Sequence, residues 1–193
     1  MTAKMGTALT ALACALCAGV AAPAAAQTAT TELSAGYQFT RTPDLILPLG
    51  WYVDVAGRVA PMFAVVGEVS GAYKSETMAV GTSSVEATVR LHTFMGGVRV
   101  AARTKSKVVP FGQLLLGAAR LSGGVTASGP AISVLAATDA DTEFALQVAG
   151  GVNLIASGNF GVRLGADYRR IFISDGGENE FRLVAGVVIP IGR

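Results

Sequence analysis

"NFGVRLGADYRR", residues 159–170, alternates with a period of two. Phe160, Val162, Leu164, Ala166 and Tyr168 fall on one side, and Gly161, Arg163, Gly165, Asp167 and Arg169 on the other. Successive side chains of an extended chain point to opposite faces, so this is a strand with one apolar and one charged face. A soluble sheet turns the charged face to water and the apolar face into a core. A barrel in a membrane turns them the other way. The stretch alone is consistent with both; the rest of the chain decides.

The chain has 193 residues, enough for one domain. It is 51% hydrophobic and only 15% charged, with a mean hydropathy of +0.52. Past residue 26, no apolar run reaches the ~18 residues that a membrane helix needs. High hydropathy without such a helix leaves a large soluble core or a transmembrane barrel. The net charge of +2 is small and the arginines are dispersed among acids, so no nucleic-acid groove is expected.

Lys4, the apolar stretch Thr7 to Val20, then Pro23 and Ala24-Ala25-Ala26 before Gln27 have the order of a cleavable export signal. Residues 1–26 are therefore expected to be a signal peptide and residues 27–193 the mature domain. Cys14 and Cys17 both lie in the signal. The mature chain would then hold no disulfide, thiolate nucleophile or cysteine metal site.

Eight strands are expected, over 32–40, 51–59, 62–73, 86–100, 108–121, 142–155, 159–170 and 179–190. Several alternate cleanly. Trp51, Val53, Val55 and Val59 oppose Tyr52, Asp54 and Arg58, and Phe63, Val65, Val69 and Tyr73 oppose Ala64, Glu68 and Ser70. The fourth strand shifts phase near Gly96-Gly97, which reads as a bulge or kink. The fifth alternates poorly.

The connections carry a sharper signal. "RTPDLILPLG", "KSETMAVGTSSV", "SGGVTASGPAISVLAATDAD" and "IFISDGGENE" are long, whereas Ala60-Pro61, "RTKSK" and Ser157-Gly158 are short. Long and short connections alternate, as in a barrel with tight turns at one membrane face and loops at the other. The apolar "PAISVLAA" leaves room for extra structure within the longest connection. Aromatic placement agrees. Phe39, Trp51, Tyr73, Phe144, Tyr168 and Phe181 fall at the loop ends of their strands, and Phe63, Phe111 and Phe160 at the turn ends. Apart from Phe111, all share the parity of the apolar face. Two such girdles bracket the apolar band of a membrane barrel. In such a barrel Val162, Leu164 and Ala166 are expected to face lipid, and Arg163, Asp167 and Arg169 the lumen.

"TFMGGVRVAARTKSKVVPFGQLLLGAARL", "EFALQVAGGVNL", "GVRLGADYRRIF" and "NEFRLVAGVVIPIG" together resemble the small outer-membrane β-barrel family of OmpA/OmpX type. The resemblance spans most of the mature chain. It implies an all-β fold: an eight-stranded antiparallel up-and-down transmembrane β-barrel in the bacterial outer membrane, preceded by a signal peptide. One departure is plain. Such barrels usually end on an aromatic residue, but this chain ends Pro190-Ile191-Gly192-Arg193.

An eight-stranded barrel encloses a space just wide enough for side chains. The inward set is expected to include Asp54, Arg58, Glu68, Arg90 and His92 from the first half of the chain. Gln113, Arg163, Asp167, Arg169 and Arg182 join them from the second. Charges withheld from water must be paired, so Asp54, Glu68 and Asp167 are the natural partners of the arginines. This makes a polar plug, and a structural or surface-interaction role through the outside loops. Two alternatives stand beside it: a narrow porin-like channel, and a lipid-A-modifying enzyme. The second would rest on the single histidine, His92, with no serine in a tight motif beside it. A soluble lipid-binding barrel would need Trp51, Tyr73 and Phe181 inside and the charges outside. No catalytic residue, cofactor or metal site is expected. The expected partners are outer-membrane lipid and surface ligands on the loops, with no nucleic acid, and the expected state is a monomer.

Overall fold

The computed structural model describes residues 31–80, 83–102, 107–129, 132–157, 160–173 and 176–191. The signal peptide expected over 1–26 lies outside the described residues. The chain forms β1 (Thr31–Arg41), β2 (Ile46–Leu47), β3 (Leu49–Arg58), β4 (Phe63–Val80), β5 (Ser83–Ala101), β6 (Val108–Gly129), β7 (Ile132–Ser157), β8 (Phe160–Ile173) and β9 (Gly176–Ile191). All pairings are antiparallel between neighbours, and β1 also pairs with β9 from Thr31↔Ile191 to Arg41↔Phe181. That last ladder closes the sheet. β2 is only two residues long and pairs with β1 alone, so eight strands make the wall. A closed antiparallel barrel leaves no sheet edge unpaired, the condition for β-structure in lipid.

At the seam the chain needs glycine. A Cβ on Gly186 would run into the Ala35 carbonyl oxygen and lie 2.5 Å from the Tyr52 hydroxyl. Gly36 stands directly opposite Gly186, so both backbones can close in.

The polarity is inverted. Arg163 and Arg182 are each 1% exposed, whereas Leu164 is 44% exposed and Val187 46%. Apolar side chains of this kind point outward from β3 to β9, as Val53, Val65, Val98, Leu114, Val148 and Leu183 do. A continuous apolar surface that wraps a whole domain has no place in water. It matches a hydrocarbon surround.

The structure departs from the expected strand limits mainly at one end. The segments expected as long loops over 74–85 and 122–141 are instead tall hairpins. β4 and β5 stay paired to Val80↔Ser83, and β6 and β7 to Gly129↔Ile132. β-branched residues such as Val125, Thr126, Ile132 and Val134 suit a strand, and pairing satisfies backbone groups that a loop would leave to water. The connection after β1 also folds back. The Thr42 N–H donates to the Leu45 carbonyl at 2.8 Å, and Leu47 is buried over the barrel mouth.

The expected bulge at Gly96-Gly97 is absent. β5 runs in unbroken register against both β4 and β6. One phase therefore holds throughout β5: Leu91, Thr93, Met95 and Arg99 point inward, and Arg90, His92, Phe94 and Val98 outward. The misleading feature was apolar Leu91 and Met95 on the lumen side. They belong to an apolar layer within the barrel that also holds Leu47, Leu115, Ala119 and Ile171.

Candidate functional site in the barrel lumen

The inward faces converge on two connected polar networks. Toward the tight turns, Asp54 of β3 is held between two guanidiniums. Arg99 Nη2 donates to Asp54 Oδ1 at 2.9 Å, and Arg163 Nη1 to Oδ2 at 2.5 Å. Gln113 Oε1 accepts from Arg99 Nε at 3.0 Å, and Asn153 Oδ1 from Arg163 Nε at 2.9 Å. Glu32 Oε2 stands 3.6 Å from each arginine on the turn side. The Phe111 ring is within cation–π distance of both guanidiniums, its centroid 5.2 Å from Arg99 Cζ and 4.8 Å from Arg163 Cζ.

Toward the tall hairpins, Arg182 of β9 is the hub. Its Nη2 donates to Glu68 Oε1 at 2.6 Å and its Nε to Asp167 Oδ2 at 2.5 Å. Its Nη1 donates to Gln38 Oε1 at 2.7 Å and to Ser70 Oγ at 3.1 Å. Arg169 continues the network, bonding Gln147 Oε1 through Nε and Nη2 and Glu180 Oε2 at 3.2 Å. Four buried arginines thus meet four buried carboxylates: Arg99, Arg163, Arg169 and Arg182 against Asp54, Glu68, Asp167 and Glu180. The charges balance and most of their polar atoms are bonded, the form in which buried charge is tolerated. Among the described residues, Arg99 Nη1 and Arg163 Nη2 make no hydrogen bond and have only Glu32 Oε2 nearby, at 3.6 Å.

Asp54, Glu68, Gln113, Arg163, Asp167, Arg169 and Arg182 all lie in these networks. Arg58 does not; it sits half-exposed at the turn-end mouth, 4.0 Å from Glu32. Arg90 and His92 are corrections. Both face outward, because the phase of β5 never slips. His92 Nε2 bonds the Tyr73 hydroxyl at 3.0 Å, which also accepts from Trp51 Nε1 at 3.0 Å. Phe111 is a further correction. It is buried inside, not on a girdle, because Gly151 and Gly165 leave space for the ring. A Cβ on Gly151 would come 2.9 Å from Phe111 Cζ. Trp51, Phe63, Phe144, Phe160, Tyr168 and Phe181 are exposed on the outer wall, while Phe39 and Tyr73 lie there half-buried. Arg99, Gln147 and Glu180 were missed as lumen charges and partners. Val98-Arg99-Val100 carried the signal for Arg99, since outward valines on both sides force it inward.

Three cavities border the plug among the described residues. Between the two networks, bounded by Tyr52, Asp54, Glu68, Phe111, Arg163 and Arg182, about 10 Å³ is free. That is room for at most about one water. On the turn side a cavity of about 310 Å³ opens beside Glu32, Arg58 and Arg99. On the hairpin side a second, of about 290 Å³, opens beneath Leu45 and Leu47.

Solved structures carry this fold. The chain has the small outer-membrane β-barrel fold. A major outer-membrane protein from Thermus thermophilus superposes with a TM-score of 0.60 at 12% identity, covering 86% of this chain and 100% of that one. Ail, the attachment invasion locus protein of Yersinia pestis, solved with the heparin analogue sucrose octasulfate, gives 0.55 at 17% identity, covering 84% and 100%. The outer-membrane protease OmpT of Escherichia coli gives 0.53 at 8% identity, covering 86% and 97%. No family model and no curated protein matches the sequence. The fold agrees with the OmpA/OmpX-type resemblance, and the apolar outer wall agrees with a place in the outer membrane.

Proposed function

We propose that this outer-membrane barrel is a closed, non-catalytic structural protein that displays its tall hairpins for surface interaction, as a monomer among lipids. Residues 1–26 serve as its export signal. The observation that carries the closed state is the 10 Å³ constriction between the two arginine–carboxylate networks. An ion crossing it would have to break charge-assisted bonds such as Arg182–Glu68 at 2.6 Å and Arg163–Asp54 at 2.5 Å.

Display is supported by β4–β7, which run 18, 19, 22 and 26 residues, well beyond the ~9–11 that a spanning strand needs. Ail, solved with a heparin analogue, is a barrel of this fold that takes a ligand. A non-enzymatic reading is supported by His92. It bonds Tyr73 on the outer wall, while Ser75 donates to Glu86 at 2.7 Å, so no serine–histidine pair forms there.

The test is planar-bilayer recording of the refolded chain, with heat-modifiable electrophoretic migration as the check of folding. Folded protein without reproducible current is the expected result. Stepwise single-channel conductance overturns the closed reading.

A further inference from the structure

The cavity at the hairpin end has an unusual lining. Its wall is apolar: Leu45, Leu47, Val89, Leu91, Leu121 and Ile171. Its polar lining is almost wholly carboxylate, from Asp141 and Glu143 of β7 and Glu178 and Glu180 of β9, with only Thr42 besides and no lysine or arginine. Glu180 is engaged by Arg169. Asp141, Glu143 and Glu178 make no ion pair among the described residues. The cavity at the opposite end is different, with Arg58 and Arg99 facing Glu32 across it. The two mouths of one barrel therefore differ in charge.

We propose that this hairpin-end cavity is a binding site for a small amphipathic cation: a compact apolar or aromatic body carrying a protonated amine. The apolar wall takes the body, and the carboxylates of β7 and β9 take the ammonium. Charge complementarity selects the sign. An anion would meet uncompensated carboxylates next to low-dielectric walls, and a neutral molecule would leave them unpaired. A bare metal ion suits the site poorly, since among the described residues no group of three His, Cys, Asp or Glu is arranged to hold one. The volume of about 290 Å³ is at the small end for ligand pockets, which confines the occupant to a molecule of about one or two rings. The floor of the site is the Arg169–Glu180 pair and the apolar layer at Leu91 and Ile171. The site thus rests on the reading that the lumen is closed below it.

The experiment uses the refolded full chain in detergent, titrated calorimetrically with tryptamine, tryptophol and indole-3-acetate. These share one ring system and differ in charge. Tryptamine is expected to saturate at one site per chain. Tryptophol is expected to bind about tenfold more weakly and indole-3-acetate not at all. Glu143→Gln with Glu178→Gln should weaken tryptamine about tenfold and leave tryptophol unchanged. Leu121→Trp, which fills the cavity from its rim, should abolish both. Each variant is first checked for the heat-modifiable band. Equal binding of the cation and the anion, or no saturable binding of tryptamine by folded protein, overturns the proposal. A parallel flux assay separates the two readings. Passage of tryptamine into protein-loaded vesicles with saturable binding sinks the closed lumen and leaves the site standing. Tight vesicles without binding sink the site and leave the closed lumen standing.

Discussion

Arg182 and Glu68 are 114 residues apart in the chain, yet Arg182 Nη2 donates to Glu68 Oε1 at 2.6 Å across the lumen. The bond joins β9 to β4 through the barrel interior, where no backbone ladder connects them. Glu68 also faces Arg169 at 3.8 Å, so one carboxylate answers two buried cations.

Removing that carboxylate leaves both cations short of charge in a low-dielectric space. Glu68→Ala should cost about 3–5 kcal/mol of folding stability, the typical penalty for breaking a buried ion pair. Urea unfolding of the barrel in lipid vesicles, followed by Trp51 fluorescence, measures it. The variant Glu68→Met, Arg182→Met, Asp167→Leu, which also removes the carboxylate that Arg182 Nε bonds, should recover much of the loss, whereas Glu68→Met, Arg182→Met alone should recover only part of it. A double variant as unstable as the sum of the singles would show that the two residues act independently.

Leu164 lies midway along β8 between Phe160 and Tyr168 and points outward. Leu164→Arg should destabilise the folded barrel in bilayers by about 2 kcal/mol or more, because the charge would enter hydrocarbon. Leu164→Ile should be nearly neutral. The comparison is made in lipid vesicles by the same unfolding assay, and a tolerated arginine would argue that this face meets water.

The closing seam should be sensitive to a single methyl group. Gly186→Ala drives a Cβ against the Ala35 carbonyl oxygen, and a cost of about 1–3 kcal/mol is expected for the overpacking. Gly57→Ala is the control, since nothing lies within 4 Å of its Cβ position. Folding yield by heat-modifiable migration reads both. Equal yields would mean that the seam relaxes freely.

Phe111 and Arg163 fill the turn side of the constriction. Phe111→Ala combined with Arg163→Ala should open a water path beside Asp54, and planar bilayers should record small cation-preferring currents where the parent chain gives none. A silent double variant with the folded band would place the barrier elsewhere, at the Arg182 network.

The period-two alternation of 160–170 and the alternation of short and long connections were enough to read an inverted barrel. Both are local properties of the chain: a strand's faces follow from its own residues, and a tight turn from a few more. The inward places of Asp54, Glu68, Arg163, Asp167 and Arg182 were legible for the same reason. His92 and Phe111 were not, because β5 and β6 carry apolar residues on both faces and only the ladder to a neighbouring strand sets their phase. Which arginine meets which carboxylate was beyond any local reading as well. Arg163 and Asp54 lie 109 residues apart and Arg182 and Gln38 144 apart, and closing β1 on β9 is what brings such partners together. The chain alone thus determined the faces of most strands, since that information is held within a few residues. Tertiary closure alone decided the pairing of the charges, the constriction between them and the acidic cavity above, because each is built from strands that meet only around the barrel.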